Sequence, residues 1–253
     1  MDTLYHPYWP VFYEDNHLLV LYKPAGLVMQ RDHKSKASLL ELAKAWIKTR
    51  YQKPGRVFAG LVHRLDAPVA GVVVLARTSK AASRLSAQFR DGGVEKIYLA
   101  VVVGVPPKEE DRLRHHLVRV GRFSQPVDIP SDGSRIAGLR YRLQARHART
   151  SLLTVVLETG RRHQIRAQLS AIGCPIQGDV HYGAPGAMTH GRIALLAHKL
   201  GFNHPTRGTR LQFTSPVPKG WPWPNAVSKE DTPYWTMEEF LDSGMVLPDF
   251  TGI

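Results

Sequence analysis

The chain has 253 residues, 43% of them hydrophobic, which suits one large globular domain or two small ones. Its 34 Lys and Arg against 21 Asp and Glu give a net charge of +13; after Pro216 two lysines meet six carboxylates, so the preceding part holds +17. Such a body attracts nucleic acid or an anionic surface, its single cysteine, Cys174, excludes an intrachain disulfide and a four-cysteine zinc site, and no apolar run approaches the roughly 20 residues that span a bilayer.

Val11 to Tyr13 and His17 to Tyr22 are expected strands, joined by the turn Glu14-Asp15-Asn16 and stopped by Pro24-Ala25-Gly26. The first ten residues, rich in Pro and aromatics, form a loose lead-in. Ser38 to Glu41 has capping-box spacing, ahead of a helix with an apolar stripe of Leu39, Leu42, Ala43 and Trp46. Gly71 to Ala76 is a short apolar run of β-branched type, the pattern of a buried strand. Thr78 or Ser79 caps a helix through Arg90, with Leu85 and Phe89 on one face and Gly92-Gly93 as its stop. Ile97 to Val103 is another strand. Lys108 to Phe123 is polar and basic, and Ser124 to Gly138 reads as an exposed loop. Leu139 to Leu143 and Leu152 to Leu157 form a hairpin. Thr159 is expected to cap a helix with the stripe Ile165, Leu169 and Ile172, ending at Gly173. Ile193 to Leu200 and Leu211 to Phe213 are further strands. The expected organisation is a body of residues 1–216 and an acidic, Pro- and Trp-rich appendage of 217–253. Strands outnumber helices, so the fold class is α+β, a mainly antiparallel mixed sheet flanked by helices.

Two segments concentrate chemistry. In His63-Arg64-Leu65-Asp66, the aspartate stands ahead of the buried strand, as a nucleophile or general base or as a cap on neighbouring backbone amides. In Thr159-Gly160-Arg161-Arg162-His163-Gln164-Ile165-Arg166, Arg166 falls at the border between the helix's apolar stripe and its surface. It either reaches a carboxylate or lies on a solvated helix face. A desolvated Asp–Arg pair adds little net stability, so such a pair would argue for function. Arg161 and Arg162 at the helix entry suit phosphate, or are unpaired surface charge. Tyr98 shares a strand face with Ala100 and either stacks on a base or simply packs. His63 and His163 lack a compact second ligand pair and HExxH spacing, so no metal is expected.

These segments resemble the RluA-type pseudouridine synthases. The family's H-R-L-D-x-x-T-S-G signature is matched from His63 to Gly71, with Val69-Ala70 where the family has Thr-Ser. Lys96 to Gly104 is similar to its K-x-Y-x-A strand. Thr159 to Arg166 and Gly173 to Gly183 match T-G-R-x-H-Q-I-R and G-x-P-I-x-G-D-x-x-Y-G. Leu195 to Leu200 with His204-Pro205 is similar to the L-H-A-x-x-L…H-P element, with Leu196 in place of its histidine; Asp15 to Gly26 resembles the family's opening. The ordered likeness covers roughly residues 11 to 216 and points to the short members without an S4 module.

The resemblance implies a pseudouridine synthase fold with a central cleft, and isomerisation of uridine to pseudouridine inside an RNA chain. In it Asp66 matches the essential aspartate, which attacks C1′ or assists glycal formation. Tyr98 matches the tyrosine that packs on the base and aids proton transfer at C5. Arg166 matches the arginine paired with the aspartate, and Arg64 the residue that fills the gap left by the extruded base. His63, Arg161, Arg162 and Ile165 complete the expected substrate contacts. No cofactor and no metal are implied. The expected partner is structured RNA, ribosomal or transfer, with no membrane, no DNA and a monomeric chain in the cytoplasm, where the absence of a signal-peptide pattern also places it. A non-catalytic RNA-binding factor and a metal-free ribonuclease using His63 and His163 are the competing readings.

Overall fold

The computed structural model describes residues 4–5, 10–31, 37–223 and 234–242. In chain order its strands are β1 (Leu4–Tyr5), β2 (Pro10–Glu14), β3 (Leu18–Lys23), β4 (Gly60–Leu61), β5 (Ala70–Ala76) and β6 (Glu95–Val103). Then come β7 (Glu110–Val120), β8 (Phe123–Val127), β9 (Arg135–His147), β10 (Thr150–Leu157), β11 (Leu195–Asn203) and β12 (Arg210–Thr214). The helices are α1 (Leu39–Arg50), α2 (Ser79–Arg90), α3 (Gln164–Ala171) and the short α4 (Met237–Asp242). The strands form one mixed sheet in the order β1-β2-β3-β5-β11-β6-β10-β9-β7-β8, with β12 on β11 and β4 on β5. Among these named pairs only β5 with β11 is parallel. This is the expected α+β class.

Period-two alternation explains the layers. β3 and β5 are buried along their whole length, because both faces are covered. Leu19, Leu21, Val73 and Leu75 share a core with Leu39, Leu42, Ala43 and Ile47 of α1. Leu18, Val20, Val72 and Val74 point the other way, into a core with Ala81 and Leu85 of α2. Burying each such side chain is worth about 1.5–3 kcal/mol. Local chemistry starts both helices: Ser38 and Glu41 cap each other's backbone reciprocally at α1, and Thr78 accepts from the Ala81 amide at α2.

Gly71 fixes where the two halves of the sheet meet. It stands opposite Ala197, which in turn stands opposite Tyr98 of β6. Its φ is +129°, and a Cβ there would lie 2.2 Å from the Ala197 carbonyl oxygen. Only glycine lets the backbones come this close.

Three expectations are corrected. Ser124 to Gly138 is not one exposed loop: Ser124–Val127 belongs to β8 and Arg135–Gly138 to β9, both paired with β7. β7 and β9 are lined with exposed Arg, and β7 buries only Leu113 and Leu117, so apolar alternation is too dilute to read. Thr159 does not cap α3. His163 takes that position with φ +51°, while Thr159 accepts from the Gly138 amide and donates to Gln164. Nor does α3 carry a simple stripe: Gln164 through Leu169 are all buried.

The described parts of the segment after Pro216 are packed into the body. Trp221 and Trp235 lie in the main core with ring centroids 5.0 Å apart. Ala25 is bonded on both sides, to the Trp235 carbonyl (2.8 Å) and the Met237 amide (2.9 Å). Tryptophan in a Pro-rich stretch buries without any helical or strand period to announce it. Most of the lead-in, and residues 224–233 and 243–253 of the C-terminal segment, fall outside the described residues.

Candidate active site

Asp66 lies in the turn between β4 and β5, with 29% of its side chain exposed. The turn is held from several sides. The Val69 amide closes on the Asp66 carbonyl (3.1 Å), the Gly26 amide donates to the Ala67 carbonyl (2.8 Å), and the Ile193 amide donates to the Pro68 carbonyl (3.4 Å). Lys23, wholly buried, sends its Nζ to the carbonyls of Ala67 (3.1 Å), Pro24 (2.9 Å) and Leu27 (2.7 Å). Burial brings its pKa down to about 7, while the Asp66 charge pulls the other way. Three carbonyls match the three N–H groups of an ammonium.

The second segment reaches this turn through α3. Gln164 stitches the approach: its Oε1 accepts from Thr159 Oγ1 (2.6 Å) and the Arg161 amide (2.9 Å), and its Nε2 donates to the Gly138 carbonyl (2.9 Å). Arg166 then points inward, only 6% of its side chain exposed. Its Nε and Nη2 grip both oxygens of Asp179, at 2.7 and 2.8 Å, and its Nη1 reaches Asp66 Oδ2 at 3.4 Å. The guanidinium lies over the Tyr182 ring, 4.8 Å from its centroid. Burial opposes the charge on Arg166, but the hydrogen bonds and charge of Asp179, and then Asp66, outweigh it and hold the pKa above its ordinary value. One guanidinium thus serves two carboxylates, one sealed in the core and one partly open to solvent.

His163 stands beside them, Nδ1 2.9 Å from Tyr182 Oη and Nε2 3.6 Å from Asp66 Oδ2. Burial lowers its pKa; the Asp66 charge opposes this, and Arg166 and Arg162 add to it. The imidazole is therefore neutral at neutral pH. Tyr98 packs against the main core. Burial, then the Asp66 charge, raises its phenol pKa well above the ordinary value, so it keeps its proton. Lys96, two residues earlier on the same face, donates to the Thr159 carbonyl (3.3 Å); burial, then Arg161, lowers its pKa.

The remaining residues are arranged differently. Arg64, Arg161 and Arg162 are exposed, Arg161 donating through Nε to the Ile136 carbonyl (3.1 Å). Ile165 is buried in the core beside Leu169. His63 does not join the cluster. Its Nε2 accepts from the Val74 amide (3.0 Å) and its ring stacks on Phe89 (4.7 Å); burial, then Lys96, lowers its pKa to about 3. Among the described residues, no group of three or more His, Cys, Asp and Glu is placed to hold a metal.

Asp179, Tyr182 and Lys23 carry no assigned role in the sequence reading. The first two stand in the G-D-x-x-Y-G stretch, and Lys23 just before the Pro24 turn, so each was within a recognised motif. Chemically the site offers a partly solvated carboxylate backed by a cation, and a protonated phenol whose pKa responds to that carboxylate.

The family model described as RNA pseudouridylate synthase matches residues 17–171. The chain is 34% identical to the ribosomal large subunit pseudouridine synthase D of Pseudomonas aeruginosa, covering 87% of this chain and 72% of that one. It is 33% identical to the dual-specificity RNA pseudouridine synthase RluA of Escherichia coli, covering 83% and 94%. The solved structure of human RNA pseudouridylate synthase domain containing 4 shares the fold with a TM-score of 0.70 at 23% identity, over 83% of this chain and 88% of that one. Human RNA pseudouridylate synthase domain containing 1 does so at 0.64 and 21%, over 94% and 95%.

Proposed function

This chain belongs to the RNA pseudouridine synthase family, and on that premise we propose that it isomerises uridine in ribosomal or transfer RNA in the cytoplasm, with Asp66 as the residue that meets the sugar. The observation that carries this reading is the Arg166 Nη1 to Asp66 Oδ2 contact of 3.4 Å, which joins two segments 100 residues apart.

In the direct route, one Asp66 oxygen bonds to C1′ as the N1–C1′ bond breaks, and the bonding pair leaves on N1. The freed uracil turns. C5 then bonds to C1′, and the carboxylate leaves with its electron pair. C5 loses its proton, N1 gains one, and the balance is an isomerisation. In the glycal route Asp66 assists elimination at the sugar instead; the roles of its neighbours are the same. Arg166 holds the Asp66 carboxylate through Oδ2, and Asp179 holds Arg166. Tyr98 is the ring for the turning base; because it keeps its own proton, the proton that C5 loses passes to water, and water returns one to N1. Reaching C1′ requires flipping the uridine out, which costs a few kcal/mol. Phosphate contacts from the exposed Arg161, Arg162 and Arg64 and from the rest of the +17 body offset it. Neither redox change nor exchange with solvent carbon occurs, so the chemistry calls for no cofactor.

Val69 and Ala70, where relatives carry hydroxyl residues, are buried at 3% and 0% exposure. They pack in the main hydrophobic core. A two-histidine nuclease has no support, because the Val74 amide already occupies His63 Nε2. The test is tritium release from RNA carrying 5-[³H]uridine. The proposal expects release with the strand intact on a gel; cleavage, or RNA binding without release, would refute it.

A further inference from the structure

The sequence offers His163 as a metal ligand or a nuclease histidine, yet its geometry gives it another task. Its backbone is left-handed, φ +51° and ψ 22°, a conformation uncommon for a side-chain-bearing residue. Such strain concentrates at functional sites. It turns the ring between Tyr182 and Asp66 instead of capping α3, whose first turn the ring does not bond. The nearest contact that each makes to the Asp66 carboxylate falls on the same atom: Arg166 Nη1 at 3.4 Å and His163 Nε2 at 3.6 Å both meet Oδ2.

The tautomer follows from Tyr182. Its Oη accepts from the Ser124 amide (3.0 Å), and its single proton has two possible acceptors, the Ser124 carbonyl (3.1 Å) and His163 Nδ1 (2.9 Å). If the proton goes to Ser124, His163 must donate from Nδ1 and set the Nε2 lone pair against a carboxylate. If it goes to His163, Nε2 carries the hydrogen and faces Oδ2 as a donor. The Asp66 charge selects the second arrangement. The groups around the ring are Asp66, Arg162, Arg166 and Asp179, with Phe123 against it at 6.2 Å.

We infer that His163, tethered by Tyr182, is a positioning residue that fixes Asp66 Oδ2 together with Arg166 and so presents Oδ1 to the sugar. This rests on the reading of Asp66 given above. As Oδ1 bonds to C1′ and N1 leaves with the bonding pair, Oδ2 becomes the ester carbonyl; when C5 takes C1′, the pair returns to the carboxylate and Oδ2 recovers its two partners. A 3.6 Å contact in the unliganded enzyme is of the kind that tightens on substrate binding.

The test uses His163→Asn, which tolerates the left-handed backbone and is too short to bridge Tyr182 and Asp66, and Tyr182→Phe, which removes the tether together with the Ser124 amide bond but keeps the ring under Arg166. Both are compared with Asp66→Asn. The expected result for His163→Asn is a fall in kcat of roughly 10- to 100-fold, as for other small misplacements of a reacting group, with KM for RNA and melting temperature held. Tyr182→Phe falls less, and the double variant falls no further than His163→Asn alone. If His163→Asn and Tyr182→Phe both keep wild-type kcat while Asp66→Asn is inactive, the inference is overturned and the nucleophile stands. If Asp66→Asn is fully active, the nucleophile reading fails first. A loss of kcat that tracks a lowered melting temperature overturns the positioning role in favour of a structural one.

Discussion

Two carboxylates share Arg166, and removing each should have opposite signatures. Asp179 is 1% exposed and takes two bonds of 2.7 and 2.8 Å from a guanidinium that is 6% exposed. Breaking a buried pair by removing one partner costs about 3–5 kcal/mol. Asp179→Asn keeps one carbonyl oxygen for the Nε donor, which argues for the lower end, about 3 kcal/mol. For a chain of this size that is about 6–12 °C in melting temperature. Asp66 is 29% exposed and its contacts are longer, 3.4 and 3.6 Å. An exposed pair of this kind is worth about 0–1 kcal/mol, so Asp66→Asn should move the melt by about 0–4 °C. The assay is thermal unfolding of both variants by circular dichroism at one pH and salt. Midpoints within about 2 °C of each other would refute the division of Arg166 into a structural and a functional arm.

Three further outcomes follow from the same geometry. His63 accepts the Val74 amide only when neutral, and its pKa is lowered to about 3, whereas the unfolded chain binds the proton near its ordinary value of about 6.5. The stabilisation is therefore full above that ordinary value and lost as pH falls toward 3, by about 1.4 kcal/mol per unit; urea melts of His63→Gln should show a shallower acid slope, and an unchanged slope would contradict the assignment. Gly71→Ala places a Cβ 2.2 Å from the Ala197 carbonyl at φ +129° and should cost about 2–6 kcal/mol, with loss of turnover as β5 and β11 separate; a wild-type melt would be incompatible with that register. Replacing Arg161 and Arg162 together by Ala should raise KM for RNA with little change in kcat, and lower the log–log salt slope of binding by about 1.4–1.8; an unchanged slope would remove both from the phosphate contacts.

What was legible in the chain depended on how local the cause is. α1 and α2 announce themselves through Ser38–Glu41 and Thr78, because caps act within one turn. β3 and β5 stand out because burial on both faces demands unbroken apolar runs. β7 and β8 did not, because β7 is studded with exposed Arg and the short edge strand β8 buries only Ser124, too little in either to leave a period. The roles of Asp66 and Arg166 were legible and that of Asp179 was not, although it stands in the G-D-x-x-Y-G stretch: its partner is set only when the chain after α3 folds back over Arg166. The left-handed turn at His163 was hidden for a related reason. Thr159 looked like a cap, but its hydroxyl is spent on Gly138 and Gln164, whose partners come from β9.

The most direct test of the central claim is pseudouridine formation by Asp66→Asn on RNA that the wild-type enzyme modifies, with RNA affinity measured on the same preparation. The account predicts that affinity holds while turnover falls by at least about 1,000-fold, the scale on which loss of a reacting group acts. Turnover near the wild-type rate in a folded, RNA-binding Asp66→Asn protein would contradict it.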